Sequence, residues 1–295
     1  MTTINTKATK LTKLEPSISF EFFPPRTQEG GDKLKIERDQ LVAINPDYFS
    51  VTYGAGGTTR DNTLDTVVAT QQDSGIETAP HLSCIGDDQA HVAQLLTTYK
   101  QKGVRKIVAL RGDLPSGTGA ARGDFTYARD LVAFIRQTTG DDFHIQVAAY
   151  PEMHPQGVNY NFDFQNFVDK VNAGANGAIT QYFYNADAYE HFLNLCQRKG
   201  VTVPIVPGIM PITNYAKLAR FSQMCGAQIP RWLEKQLIAY ADDSQAICQL
   251  GEEVVTTLCE KLLQLGAPSF HFYTLNRAAP SLAICKNLGL GVYGV

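Results

Sequence analysis

A chain of 295 residues with a net charge of −3, 44% hydrophobic and 19% charged residues has an ordinary globular composition. That balance gives no electrostatic reason to invoke nucleic acid or an anionic membrane, and no segment approaches the roughly 20 consecutive apolar residues of a membrane span. The six cysteines, Cys84, Cys196, Cys225, Cys248, Cys259 and Cys285, form no C-x-x-C pair, which argues against a disulfide framework or a zinc site and fits a reducing cytoplasm.

In chain order, residues 1–16 are polar with no apolar core, so they are expected to be a disordered lead-in and not a secretory signal. Residues 17–295 are expected to form one domain. Eight short runs then have strand length and composition: SISFEFF from Ser17, DYFSVTY from Asp47, ETAPHLSC from Glu77, KIVALRG from Lys106, HIQVAAYP from His144, GAITQYF from Gly177, TVPIVPGI from Thr202 and SFHFYT from Ser269. Several are nearly continuous in apolar residues, as strands buried on both faces should be.

Helical stripes at i, i+3, i+4 and i+7 separate these runs: Val92, Leu95, Leu96, Tyr99; then Ala128, Leu131, Val132, Ile135; then Phe164, Phe167, Val168, Val171; then Tyr189, Phe192, Leu193, Cys196. Gly103, Gly174 and Gly200 sit just past three of them, where a helix C-cap is expected. One apolar stripe per connection, with a final helical segment over Ala278 to Leu288, predicts a single-domain α/β (β/α)8 TIM barrel. The stretch from Cys225 to Pro268 exceeds one crossover, so extra helices are expected between strands seven and eight. A doubly wound open sheet is the main rival, but it would usually show a Gly-rich turn after the first strand, where Phe-Pro-Pro-Arg stands.

In barrel enzymes the chemistry gathers at the C-terminal strand ends. The polar residues there are Glu21, Thr52, Tyr53, His81, Arg111, Asp113, Tyr150, His154, Gln181, Tyr273, Asn276 and Arg277. Glu21 interrupts an apolar strand, and a carboxyl flanked by aromatics is desolvated, which raises its pKa and keeps a proton available. The alternative is an ion pair with Arg111 or Arg277, and local sequence does not separate the two. Asp113 after Gly112 reads as turn chemistry or as a site carboxylate, and His81 as a core histidine or a site residue. Gln181 could serve a heterocycle edge or be satisfied by backbone. Asp163, Asn166 and Lys170 share one helix face, either solvated or in contact with a dinucleotide.

The segments SFEFFPPR, VTYGAGG, APHLSC, VALRGD, AAYPEMHP, VNAGANGAITQYFY, PGIMPITN and FHFYTLNR fall in an order and spacing that resembles the bacterial 5,10-methylenetetrahydrofolate reductase family. The likeness runs from Ser17 to Gly289. It implies FAD bound without a Rossmann fold, and reduction of 5,10-methylenetetrahydrofolate to 5-methyltetrahydrofolate by NADH or NADPH in a ping-pong sequence serving one-carbon metabolism and methionine synthesis. By this resemblance Glu21 is the general acid for the folate's bridging nitrogen, Asp113 helps bind the pterin beside the flavin, and Gln181 serves both substrates. Thr52, Tyr53, Ala55, His81, Arg111, Gly112, Asp113, Tyr127, Ala128, Tyr150, His154, Asp163, Asn166 and Lys170 match flavin-side positions. Phe221, Tyr273 and Arg277 match positions near the folate or nicotinamide. A homo-oligomer is implied, and no C-terminal regulatory domain of the eukaryotic kind is expected. The chain departs from the pattern at Asp169, where a basic residue is common, which bears on one flavin phosphate contact. The loop Gly54 to Arg60 is a variant of the pattern.

The rivals are other barrel enzymes, a flavin reductase fed by a protein donor, and a silent scaffold. A metal hydrolase would want H-x-H on the first strand, and a phosphosugar enzyme would want Gly-rich phosphate loops after strands seven and eight.

Overall fold

The computed structural model describes residues 16–53, 57–112, 123–240 and 243–291, with residues 57–61 described by backbone alone. The lead-in expected over residues 1–16 lies outside the described residues except for Pro16. Among the described residues nine strands, all parallel, join in the order β7-β6-β5-β4-β3-β2-β1-β9-β8.

The first six strands are β1 (Ser17–Phe22), β2 (Tyr48–Val51), β3 (Thr78–Ser83), β4 (Lys106–Leu110), β5 (His144–Ala149) and β6 (Gly177–Thr180). Then come β7 (Ile205–Val206), β8 (Gly208–Ile209) and β9 (Ser269–Tyr273). The seventh run predicted from sequence is therefore split at Pro207. Proline has no N–H to give a ladder, yet its carbonyl still accepts from the His271 N–H at 3.0 Å. The half before Pro207 pairs with β6 and the half after it pairs with β9, so one interrupted run closes the circle. Because the two halves of that run bond the two ends of the strand order, an open doubly wound sheet is excluded.

The crossover helices are α1 (Gln28–Val42), α2 (Gly57–Ser74), α3 (Gln89–Gln101), α4 (Ala128–Thr139), α5 (Tyr160–Asn172) and α6 (Ala186–Arg198). Short polar side chains start most of them: Thr27, Asp88, Asn159 and Asn185 each accept a backbone N–H of the first turn. The predicted stripes face the barrel, and Gly103, Gly174 and Gly200 follow their helices with positive φ. Between β8 and β9 lie α7 (Tyr215–Cys225), α8 (Arg231–Tyr240) and α9 (Ser244–Gln264), the extra helices the long connection requires. A final helix, α10 (Ala279–Asn287), closes the order.

Strand alternation sorts the core. Phe20, Phe22, Phe49 and Phe272 point out to the helices and pack on one another, with centroids 5.1 to 6.4 Å apart. Inside the barrel is a small apolar layer of Tyr48, Ala79, Val108 and Ile179. Leu110 and Tyr273 pack against it, and a layer of buried polar side chains positions the site. Ser19, Glu21, Ser50, His81, Gln146 and His271 are all buried.

Candidate active site

Glu21 lies on β1 between Phe20 and Phe22, and its register partners are Ser50 on β2 and Tyr273 on β9. Two outward aromatics fix the period-2 phase of the strand and so drive the carboxyl inward. There Glu21 Oε2 stands 3.4 Å from His81 Nε2 and 3.5 Å from His271 Nε2. The ion pair with Arg111 or Arg277 is not formed. Arg111 instead donates from Nε to the Gly112 carbonyl at 3.2 Å and from its terminal nitrogen to Gln156 Oε1, and Arg277 is exposed.

Burial decides the charge state of this trio. It pushes the Glu21 carboxyl above its ordinary range, against the smaller pull of His81. Burial also holds both imidazoles down: His81 falls despite the attraction of Glu21, and His271 drops to about 3, with Lys106 adding to the effect. Both imidazoles are thereby held neutral, and burial favours the protonated form of Glu21. Two hydroxyls complete the layer: Ser50 Oγ lies 3.3 Å from both His271 Nε2 and His81 Nε2, and Ser19 Oγ lies 2.7 Å from His271 Nδ1.

The C-terminal rim carries the other residues that sequence singled out. Thr52 and Tyr53 end β2, and the Thr52 N–H extends the ladder to Phe22. Gly112 follows Arg111 at φ +87°, and a Cβ there would meet Ser83 Oγ at 1.9 Å, so neither the backbone nor the space admits a side chain. Tyr127 and Ala128 open α4, where Asp130 Oδ2 accepts the Tyr127 N–H at 2.8 Å. Tyr150 packs edge-on against His154 at 4.6 Å, and Asp163 accepts the His154 N–H at 2.9 Å.

Asn166 is half-buried on α5. Lys170, on the same helix, is not on a solvated face. Its ammonium turns inward to the Ala148 carbonyl, and burial, helped by Arg111, lowers its pKa to about 8. Asp169 accepts from Arg129 at 2.8 Å, so its charge is matched from α4. Asp113 and Ala55 lie outside the described residues.

Gln181 follows β6, and its Oε1 accepts the Tyr182 N–H at 3.0 Å. Phe221 sits half-buried on α7, next to Ser222, whose Oγ meets Tyr182 OH at 3.0 Å and ties that helix to the end of β6. Tyr273 donates its hydroxyl to the Thr180 carbonyl at 2.7 Å across Gly208, where a Cβ would clash with both groups. Asn276 is held by the chain itself. Its amide brackets Phe23, accepting the N–H at 2.7 Å and donating to the carbonyl at 2.9 Å.

Sequence reasoning missed Ser19, Ser50 and His271. The signal was present, because Ser-Phe-His-Phe and Ser-Phe-Glu-Phe carry the same alternation of aromatic and polar residues. Reading those strands as apolar on both faces hid it.

A family model described as Methylenetetrahydrofolate reductase matches residues 6–289. The chain is 40% identical over 274 residues to 5,10-methylenetetrahydrofolate reductase of Escherichia coli (strain K12), covering 93% of this chain and 91% of that one. It is 40% identical over 284 residues to a probable methylenetetrahydrofolate reductase (NADH) of Oryza sativa, covering 92% of this chain and 48% of that one. Among solved structures it resembles an uncharacterized protein from Clostridium thermocellum described as binding two copies of 5-methyl-5,6,7,8-tetrahydrofolic acid. The TM-score is 0.65 at 19% identity, over 92% of this chain and 94% of that one, a likeness of fold.

Proposed function

The chain belongs to the methylenetetrahydrofolate reductase family, and from that premise we propose that it reduces 5,10-methylenetetrahydrofolate to 5-methyltetrahydrofolate, drawing hydride from NADH or NADPH by way of bound FAD in a ping-pong order. The observation that carries the reading is the Glu21 carboxyl, its pKa raised by burial, set within 3.5 Å of the His81 and His271 imidazoles.

The chemistry needs a proton at the folate's bridging nitrogen, so that the one-carbon bridge opens to an iminium able to accept hydride. A carboxyl with an ordinary pKa would be ionised at neutral pH and useless as an acid. Glu21 escapes this because desolvation disfavours its charged form. General acid catalysis of this kind contributes typically 10²–10⁴-fold. Asp113 is assigned to the pterin by family position. Gln181 and Phe221 belong to one rim through the Tyr182–Ser222 contact, which supports one face used by nicotinamide and folate in turn. With its hydroxyl given to Thr180, Tyr273 has its ring left to offer a substrate.

The donor set fits FAD. The Lys170 ammonium is buried against a neutral carbonyl, Arg111 presses on it electrostatically, and Asp163 partly offsets it. Such a concentration of positive charge suits a diphosphate. Gly112 leaves backbone open where a side chain would intrude. Thr52, Tyr53, Ala55, His81, Tyr127, Ala128, Tyr150, His154, Asp163 and Asn166 would share the rest of the contact. When bound, FAD would carry hydride from the nicotinamide to the folate.

The test is anaerobic. NADH or NADPH added to the purified flavoprotein should bleach the flavin, and methylenetetrahydrofolate should then restore its colour. A protein that takes up no FAD, or a reduced flavin that folate does not reoxidise, would overturn the reading.

A further inference from the structure

Four side chains from β1, β2, β3 and β9 form a continuous polar line through the barrel interior. Ser19 Oγ meets the Phe270 carbonyl at 3.3 Å and His271 Nδ1 at 2.7 Å, and the Tyr48 hydroxyl on β2 is a further neighbour. At its other nitrogen His271 meets Ser50 Oγ at 3.3 Å, and Ser50 Oγ meets His81 Nε2 at the same distance. Glu21 Oε2 lies beside both imidazole Nε2 atoms, within 3.5 Å.

Hydrogen counting gives this line a direction. A backbone carbonyl only accepts, and Ser19 has one hydroxyl proton. The Phe270 and His271 contacts are both hydrogen bonds only when that proton goes to Phe270 and His271 Nδ1–H donates to Ser19. His271 is neutral, so its Nε2 then carries a lone pair. That lone pair accepts from Ser50, whose oxygen in turn accepts from His81 Nε2–H. In this arrangement every donor of the Ser19, His271, Ser50 and His81 line finds an acceptor.

From this geometry we infer that Ser19 and His271 are positioning residues for the folate half-reaction: Ser19 locks His271 in the Nδ1–H tautomer, so that Nε2 has no hydrogen to give Glu21 and the carboxylate form lacks that donor. In the opposite tautomer His271 Nε2–H would donate to Glu21 and favour the carboxylate. Among the described residues, the titratable and charged groups that face the trio are few. Tyr48 on β2 stacks on the His271 ring at 5.8 Å and Tyr273 on β9 meets it edge-on at 5.6 Å; burial keeps both phenols protonated. Lys106 on β4 lies over the Tyr48 ring at 3.9 Å and is paired with Glu77 at 3.5 Å. Ser19 itself touches neither Glu21 nor the rim. This inference rests on the proposed role of Glu21 as the acid, and the experiment separates the two.

The experiment measures both half-reactions of the holoenzyme by anaerobic stopped flow across pH 6 to 9, in the parent, Ser19→Ala, Ser19→Thr and Glu21→Gln. In Ser19→Ala the tautomer is released, the carboxylate gains a donor, and the alkaline fall of folate reduction should move to lower pH by on the order of one unit. Flavin reduction should hold its parental rate, and Ser19→Thr should restore the parental profile. A Ser19→Ala profile superimposed on the parent's, or equal loss of both half-reactions, overturns the positioning role. Folate reduction that survives Glu21→Gln overturns the acid assignment instead. Nitrogen-15 NMR of the histidine-labelled parent gives an answer that needs no variant: His271 should show the Nδ1–H tautomer at neutral pH, and the Nε2–H tautomer would sink the inference.

Discussion

Glu21 Oε2 lies 3.4 Å from His81 Nε2 inside a barrel layer where neither group keeps its solution pKa: burial raises the carboxyl and lowers the imidazole. Both shifts favour a neutral acid beside a neutral base over an ion pair. Replacing Glu21 by Gln keeps the shape and removes only the transferable proton. Folate reduction should fall by about 10²–10⁴-fold while flavin reduction by the nicotinamide stays within a few-fold, as stopped-flow absorbance of the two half-reactions would read. Parental folate turnover in the variant would rule Glu21 out as the acid.

The same shifts fix how stability depends on pH. His271 is depressed to about 3, so the unfolded chain binds its proton more tightly, and stability is lost as pH falls from the unfolded value of about 6.5 toward 3. Glu21 is raised, so its contribution is present below its ordinary value of 4.5 and is lost as pH rises through the folded value. Denaturant melts of the parent should show an acid limb steeper by about 1.4 kcal/mol per pH unit than those of His271→Asn. Parallel limbs would mean that His271 is not held neutral by the fold.

Lys170 offers a direct check of the flavin assignment. Its buried ammonium contributes little to the folded chain, because desolvation opposes its bond to Ala148. Lys170→Met should leave the melting temperature of the apoprotein unchanged or higher. Loss of a bond to a charged group, worth about 1.5–3 kcal/mol, should weaken FAD by roughly 10- to 150-fold. Unaltered FAD affinity in a fluorescence titration would make Lys170 a purely structural residue.

Gly112→Ala should damage the loop after β4. Its Cβ would fall 1.9 Å from Ser83 Oγ at a backbone φ of +87°. Relieving the clash with Ser83→Ala should recover only part of the loss, because the conformational strain, about 1 kcal/mol or more, remains. Full rescue by the second change would show that space alone matters there.

Phe20→Ala removes a side chain that is 0% exposed and stacked on Phe272 at 5.5 Å. It should cost about 3–5 kcal/mol in a denaturation experiment, whereas its neighbour Glu21→Gln should cost far less. Equal losses would contradict the division of β1 into an outer apolar face and an inner polar one.

Much of this was legible one residue after another. Strand and helix identities follow from local periodicity, so the order of the elements, the stripe from Val92 to Tyr99 and the oddity of Glu21 in an aromatic strand needed no coordinates. Period-2 alternation even says which face Ser19, Glu21 and His271 take. Alternation cannot say what stands opposite. That is set by register and closure, which bring His271 within reach of a residue 250 positions earlier and so exchange the expected arginine partner for two histidines. The split of the seventh run at Pro207 shows the same limit: the sequence marks a missing N–H, but only the closed sheet shows its two halves bonding different neighbours. Lys170 reads from its helix face as a surface cation, and becomes a buried one because α5 packs against β5 and turns its ammonium to the Ala148 carbonyl. Sequence determined the parts and the face each presents, because those are local properties of the chain. The partners, and with them the charge states, were decided by the tertiary structure, because desolvation and contact depend on what the closed barrel brings together.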